Sequence, residues 1–277
     1  VAITSRIKEK ILAGLKRLTP VLNQQKTRDV SEADTVTLVK DLLSDVFGYD
    51  KYADLTGEFS IRGTYCYLVA KIDNKISHII EVKAIGVELD DRHVKQAVDY
   101  AVNQGVEWVI LTNAIYWKLY HVIFSKPIDK QLVTQVDLLS VDLKQESNLE
   151  LPYLFTKEGV RKGAHVDLHA RQEATSRYLL AALLVNNDSV LGVIRRELRR
   201  VVDVIVSDDD ILQVLKSEVI KRDCLEGQSA EIAQKSVIKR EVRSLRSSSK
   251  SGLADATAAN GQISEQASPE QNTETQS

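Results

Sequence analysis

The sequence predicts a mixed α/β fold: a mixed sheet flanked by helices, then a small all-helical region, then a disordered C-terminal tail. Three observations predict it. Between residues 58 and 122, short runs rich in β-branched and aromatic residues are bounded by turn residues and interrupted once by a stretch of helical period. From Tyr153 to about Glu226 the apolar spacing is helical throughout. Beyond Gly227 bulky apolar residues thin out and Ser, Gln, Ala, Thr and Glu take over, a composition too poor in burial to offset the entropy of ordering. The expected organisation is an N-terminal amphipathic helix in 1–29, a main domain in 30–150, a helical region in 151–227, and a basic segment with a disordered tail in 228–277.

Taken in order, Ser5 to Leu18 carries Ile7, Ile11, Leu15 and Leu18 on one side and Lys8, Lys10, Lys16 and Arg17 on the other. Thr19-Pro20 is expected to end this helix, with a polar connection over 21–30. Such a basic face can lie on a membrane or nucleic acid, although most amphipathic helices pack on their own domain. Ser31 and Glu32 open a second helix, with Val36, Val39, Leu42, Leu43 and Val46 as its stripe and Gly48 near its stop. An edge strand is expected over Glu58–Arg62, then strands over Tyr65–Ile72 and Ile76–Lys83 around Asp73-Asn74-Lys75. A helix over Asp90–Gln104 follows, capped by Asp90 and Asp91, with Val94, Ala97, Val98 and Ala101 apolar. Strands Val106–Thr112 and Ile115–Val122 flank a turn at Asn113-Ala114, and residues 128–152 read as a return element and linker, with a soft boundary near Asn148–Pro152. Helices are expected over Gln172–Val185, Ser189–Val202 and from Asp208 through Val219.

The chemistry concentrates at Glu81-Val82-Lys83, at the end of an apolar strand. Alternation sends Glu81 and Lys83 to one side and Val82 to the other. A carboxylate beside an ammonium suits hydrolysis: the carboxylate can hold a divalent metal, and the lysine can orient a water or steady a charged transition state. Alone, Glu-x-Lys is a common tripeptide and usually a solvent-facing pair.

The context is more specific. The runs SEADTVTLVKDLLSDVFGYD, GEFSIRGTYCYLVAKIDNKISHIIEVKAIG and HVKQAVDYAVNQGVEWVILTNAIYWKLYHV together resemble the PD-(D/E)xK nuclease superfamily. More narrowly, they are similar to the family named after the N-terminal domain of the type I restriction enzyme R protein, over roughly Val30 to Leu139. The resemblance implies a restriction-endonuclease-like sheet and Mg²⁺-dependent phosphodiester cleavage. Glu81 and Lys83 match the family's Glu-x-Lys, Gln96 its glutamine on the following helix, and Glu32 its acidic residue on the leading helix. Where the family carries its first metal-binding aspartate, in a pattern like Tyr-Cys-Asp-Leu, this chain reads Tyr65-Cys66-Tyr67-Leu68. Tyr67 replaces the aspartate, and a neutral phenol is a poor ligand for a hard cation. Glu58 is the substitute carboxylate to consider; Asp73 sits at a hairpin turn, at the far end of both strands. The resemblance therefore implies a nuclease impaired at one ligand, or alternatively a nuclease-fold module without cleavage that binds nucleic acid, DNA favoured, or a partner protein.

Other features bound the reading. Arg195, Arg196, Arg199 and Arg200 group on adjacent helical turns as candidate phosphate contacts, with Glu197 and Asp203 among them as candidate ion-pair partners. The basic run Lys239, Arg240, Arg243, Arg246 and Lys250 precedes the tail and could raise DNA affinity. His165 and His169 are four apart and could share a helix face as ligands, but no third ligand is identifiable in the sequence. Trp108 and Trp117 fit core positions of strands better than base-stacking ones. The net charge is −2, so a nucleic-acid surface has to be local. Two cysteines make neither a disulfide framework nor a zinc cluster, which suits a cytoplasmic protein, and no apolar run is long enough to span a bilayer. A phosphate loop of the G-x-x-x-x-G-K-[ST] kind is absent, so no ATP-driven motor is expected in this chain. Oligomerisation is left open.

Overall fold

The computed structural model describes residues 3–59 and 66–242, and at Glu58, Phe59, Cys66 and Tyr67 the description is of the backbone. The expected continuation of the edge strand to Arg62, and the tail with Arg243, Arg246 and Lys250, lie outside the described residues. The chain divides into two units, Val1–Ala170 and Arg171–Ser277.

In the first unit six strands form one mixed sheet in sequence order: β1 Leu55–Phe59, β2 Cys66–Ile72, β3 Lys75–Val82, β4 Trp108–Thr112, β5 Tyr116–Ile123 and β6 Asp129–Asp137. All neighbours are antiparallel except β3 and β4. A parallel pair needs a crossover, supplied by helix α3, Asp91–Gln104. The β2–β3 turn is tight, with Asp73 and Asn74 both at positive φ, which Asn and Asp tolerate better than other residues with a side chain. Asp73 is thus six residues or more from Glu81 along β3, roughly 20 Å at strand rise, and it pairs instead with Arg161.

Alternation sorts the strands into two faces. Leu68, Ala70, Ile80, Val82, Ile110, Trp117 and Leu119 pack with helices α1, Ser5–Thr27, and α2, Glu32–Asp45. Val69, Ile79, Val109, Leu111, Tyr120 and Val122 pack under the apolar stripe of α3. Both tryptophans are core residues, 8% and 0% exposed for Trp108 and Trp117. Helices α1 and α2 approach closely at Gly14, where an added Cβ would come within 2.8 Å of the Asp45 carbonyl oxygen.

The helix α1 corrects the expected stop at Thr19-Pro20, because it runs on to Thr27 with Pro20 inside it. The apolar stripe continues as Ile11, Leu15, Leu18 and Leu22, all buried, so packing of Leu22 offsets the hydrogen bond lost at Pro20. Its basic face is engaged on its own unit, where Lys8 pairs with Glu146 and Arg17 with Asp45. Pro20 is exposed. Pro20→Ala restores that backbone hydrogen bond and is expected to stabilise the chain by about 1–2 kcal/mol, less than the ~3 kcal/mol of a helix-interior proline because proline also restricts the unfolded chain. A midpoint shift in urea unfolding measures it, and an unchanged or lower midpoint contradicts it.

Within 128–152 the return element is strand β6, whereas the soft boundary expected near Asn148–Pro152 falls inside the packed core of the first unit. Leu149, Tyr153, Leu154, Phe155 and Ala164 join the α1–α2 face through short helices α4, Glu150–Tyr153, and α5, Lys157–Arg161. Helix α6, Ala164–Ala174, follows. The expected single helix over Gln172–Val185 is broken at Thr175-Ser176, where the Ser176 hydroxyl accepts from Leu179 N–H and caps α7, Arg177–Asn186. In the second unit α7 is followed by α8, Asp188–Val202, and α9, Asp208–Val214, which ends in a π-helical turn over Leu215–Val219. Residues 228–242 are also helical (α10), and Ala233 and Val237 pack there on Ala182 of α7. Among the described residues no single helix is long and apolar enough to cross a membrane; α7 and α8 together reach that length and composition but bend by 75° between them.

Candidate active site

Strand β3 lies at the centre of the sheet, and Glu81 stands one residue before its end, paired with Tyr67 on β2 and Leu111 on β4. The same register continues outward to Glu58 on β1 and Lys118 on β5. Glu58, Tyr67, Glu81, Leu111 and Lys118 therefore occupy one cross-strand row, and Glu58 lies two strands from Glu81, roughly 10 Å between backbones.

The Glu81 side chain is 2% exposed. Its Oε1 lies 2.5 Å from Lys83 Nζ, so the expected same-side placement of the pair is observed. Its Oε2 is buried without a hydrogen-bond partner. Lys83 Nζ is also 3.9 Å from Glu32 Oε2, which brings the first residue of α2 to the end of β3. Two buried polar residues hold that approach. Thr35, fully buried on α2, accepts from Ile85 N–H at 3.1 Å and donates to the Ser31 carbonyl at 2.8 Å. Asn113 donates from Nδ2 to the Ile85 and Val87 carbonyls, and its Oδ1 accepts from Ile115 N–H and Tyr116 N–H. In the sequence Asn113 reads as a turn residue only, and Thr35 does not stand out. The one available signal is at Asn113, a polar residue within an otherwise apolar, β-branched run.

Gln96 lies on α3, half-buried, over the sheet face that carries Ile79 and Glu81. Among the described residues no hydrogen bond joins it to Glu81 or Lys83. Lys118, in the Glu81 row, is occupied by the Leu89 carbonyl at 2.8 Å. The four arginines of α8 are all exposed, and Arg195, Arg196 and Arg199 line a cavity of about 320 Å³ with Gly192 and Ile205. Arg195 pairs with Asp208 at 3.0 Å, Arg200 with Glu197 at 2.8 Å and Arg196 with Glu197 at 3.7 Å. These arginines and their partners all belong to the second unit.

Burial pushes the Glu81 carboxyl above the usual carboxylate range; the hydrogen bond and charge of Lys83 pull it down, and the nearby Glu32 charge adds to the rise. An acid whose folded value is raised favours the fold at pH below its unfolded value, and that advantage is lost as pH rises through the folded value. Glu81→Gln, which leaves Lys83 with Glu32 nearby, is expected to stabilise the chain at pH 7–8 by roughly 0.5–2 kcal/mol, and the gain should vanish below about pH 4. Thermal unfolding from pH 3.5 to 8 measures it, and a Glu81→Gln chain less stable than the parent at pH 8 refutes it.

For a hard divalent ion the donor set is incomplete. Glu81 Oε2 is a suitable open carboxylate oxygen, but among the described residues no three His, Cys, Asp or Glu side chains stand around one point. Fold and site together define a mixed α/β protein with a buried carboxylate–lysine centre at the end of its middle strand. No family model, curated protein or solved structure matches the chain.

Proposed function

We propose that this chain is a restriction-endonuclease-like module of the PD-(D/E)xK type, directed at nucleic-acid phosphodiesters and impaired in cleavage at Tyr67. The observation that carries this reading is the buried Glu81 carboxylate: one oxygen is held by Lys83 and the other is left open, at the end of the central strand. A buried carboxylate with an unpartnered oxygen costs stability and is found where a site needs it. Glu81 would give Mg²⁺ one oxygen. The family's first metal-binding aspartate would stand at the neighbouring row position, which Tyr67 occupies, and Glu58 is one strand further out.

The roles of the chain's own residues follow from their placement. Lys83, paired with Glu81 and approached by Glu32, offers an ammonium to an attacking water or to charge developing on phosphate. Gln96, which carries no charge, would hold a water or a phosphate oxygen by hydrogen bonds. Arg195, Arg196, Arg199 and Arg200 would add phosphate contacts, with DNA the favoured nucleic acid. Arg195, Arg196 and Arg200 already face carboxylates, so each of those three contacts exchanges one ion pair for another and adds little affinity.

Cleavage of labelled DNA and RNA with Mg²⁺ or Mn²⁺, by the parent chain, Glu81→Ala and Tyr67→Asp, tests the reading. Silence in the parent and activity in Tyr67→Asp is the expected result. Parental activity that disappears in Glu81→Ala would mean that another carboxylate completes the site, and Glu58→Ala identifies it. Silence in all three removes the catalytic reading and leaves binding without cleavage.

A further inference from the structure

Of the chain's five histidines, four meet at one place on the other face of the sheet from Glu81. Trp108 pairs with His121 across β4 and β5, and the His78 ring on β3 lies 6.4 Å from the Trp108 ring. From α6, the rings of His165 and His169 come within 4.5 Å and 5.9 Å of Trp108. The His78 and His165 ring centroids are 5.1 Å apart, and those of His121 and His169 are 4.3 Å apart.

Hydrogen bonding assigns the protons on His78. The Ser77 hydroxyl donates to the Ala70 carbonyl at 3.0 Å, so at 3.1 Å from His78 Nδ1 it accepts, and Nδ1 carries the hydrogen. His78 Nε2 is therefore a bare lone pair, and it is buried without a partner, as is His165 Nδ1. The two side chains are 1% and 4% exposed. Burial drives both toward the neutral form, His165 down to about 4 and His78 well below its usual value, so neither is occupied by a second proton at neutral pH. Both rings line a cavity of about 440 Å³ whose walls include Ile76, Trp108, Val160 and Val166.

Two neutral imidazoles with buried, unpartnered nitrogens call for a third party. Two imidazoles sharing one tetrahedral ion, at about 2.0–2.1 Å from each nitrogen, hold their centroids about 5 Å apart, the separation found between His78 and His165. We propose that His78 Nε2 and His165 Nδ1 form a binding site for a borderline divalent transition-metal ion of the Zn²⁺, Ni²⁺ or Cu²⁺ class. Among the described residues no third His, Cys, Asp or Glu closes the site, so its remaining positions open to water in the cavity and the ion exchanges. Imidazole ligands disfavour Mg²⁺, which separates this site chemically as well as spatially from Glu81.

Calorimetric titration of the full chain with Zn²⁺, paired with Cu²⁺ quenching of tryptophan fluorescence, tests the assignment. One ion per chain is expected, undisturbed by millimolar Mg²⁺, with quenching because Trp108 adjoins both ligands. His78→Gln and His165→Gln should each weaken binding by about tenfold or more. His93→Gln, at the histidine outside the cluster, and Glu81→Gln should leave it unchanged. No Zn²⁺ uptake, or parental affinity in His78→Gln and His165→Gln proteins, overturns the site; so does a loss confined to His93→Gln. Circular dichroism confirms that each variant is folded, and if His78→Gln is not, His165→Gln decides alone.

Discussion

Tyr67→Asp is expected to raise Mg²⁺-dependent DNA cleavage about 10²–10³-fold over the parent chain, the size of effect that one well-placed electrostatic group has on a rate. The register makes the case. Tyr67 pairs with Glu81, so a carboxylate at position 67 starts one strand spacing away, about 4.8 Å, whereas Glu58 starts two away. Two carboxylates on adjacent strands of one row can share an ion; one carboxylate alone leaves a hard cation mostly to water. Without metal, the introduced carboxylate and Glu81 would also repel and raise each other's pKa. Mg²⁺ should therefore raise the Tm of Tyr67→Asp while leaving that of the parent unchanged. Adding Glu81→Ala should abolish both the cleavage and the Mg²⁺ shift. Cleavage that survives Glu81→Ala places the activity elsewhere.

Asn113→Ala should cost about 3 kcal/mol, and for a unit of this size lower the Tm by about 6–12 °C. The side chain is 2% exposed and makes four hydrogen bonds at 2.8–3.3 Å. Removing it strands two carbonyls and two N–H groups, of which the Ile85 carbonyl and the Ile115 N–H are fully buried and pay the whole desolvation penalty. The effect should extend to the site, because Ile85 and Val87 are the segment that carries Lys83 back toward α2. Asn113→Asp keeps both acceptor bonds to Ile115 and Tyr116 but turns the donor side into a charge facing two carbonyl oxygens, so it should be no better than alanine. Denaturant unfolding of both variants measures this, and a loss below about 1 kcal/mol in Asn113→Ala would show that the hydrogen-bond clamp is dispensable.

The α3 helix and strands β2 to β5 were legible because each has local causes. Asp90 caps α3 through its carboxylate and Gly105 ends it in the left-handed region, and β2 to β5 alternate or run apolar between turn residues. The start and stop of α1 were not equally legible: proline at position 20 is a local stop signal, and only the burial of Leu22 in the core cluster overrides it. The same holds for Leu149 and Pro152, at the end of the stretch that reads as a linker: both are buried, Leu149 within the core.

A mixed α/β protein with Glu81 and Lys83 on one side of a strand end follows from local spacing, because strand alternation is a property of the backbone alone. The sequence also places Tyr67 where the resemblance to the PD-(D/E)xK nucleases implies a carboxylate. Strand pairing and packing were needed to show that Glu81 is buried with an open oxygen, that Glu58, Tyr67 and Glu81 form one row, and that four histidines surround Trp108. Each of those depends on which strands are neighbours and in what register, and pairing joins residues far apart in the chain, where local spacing carries no information.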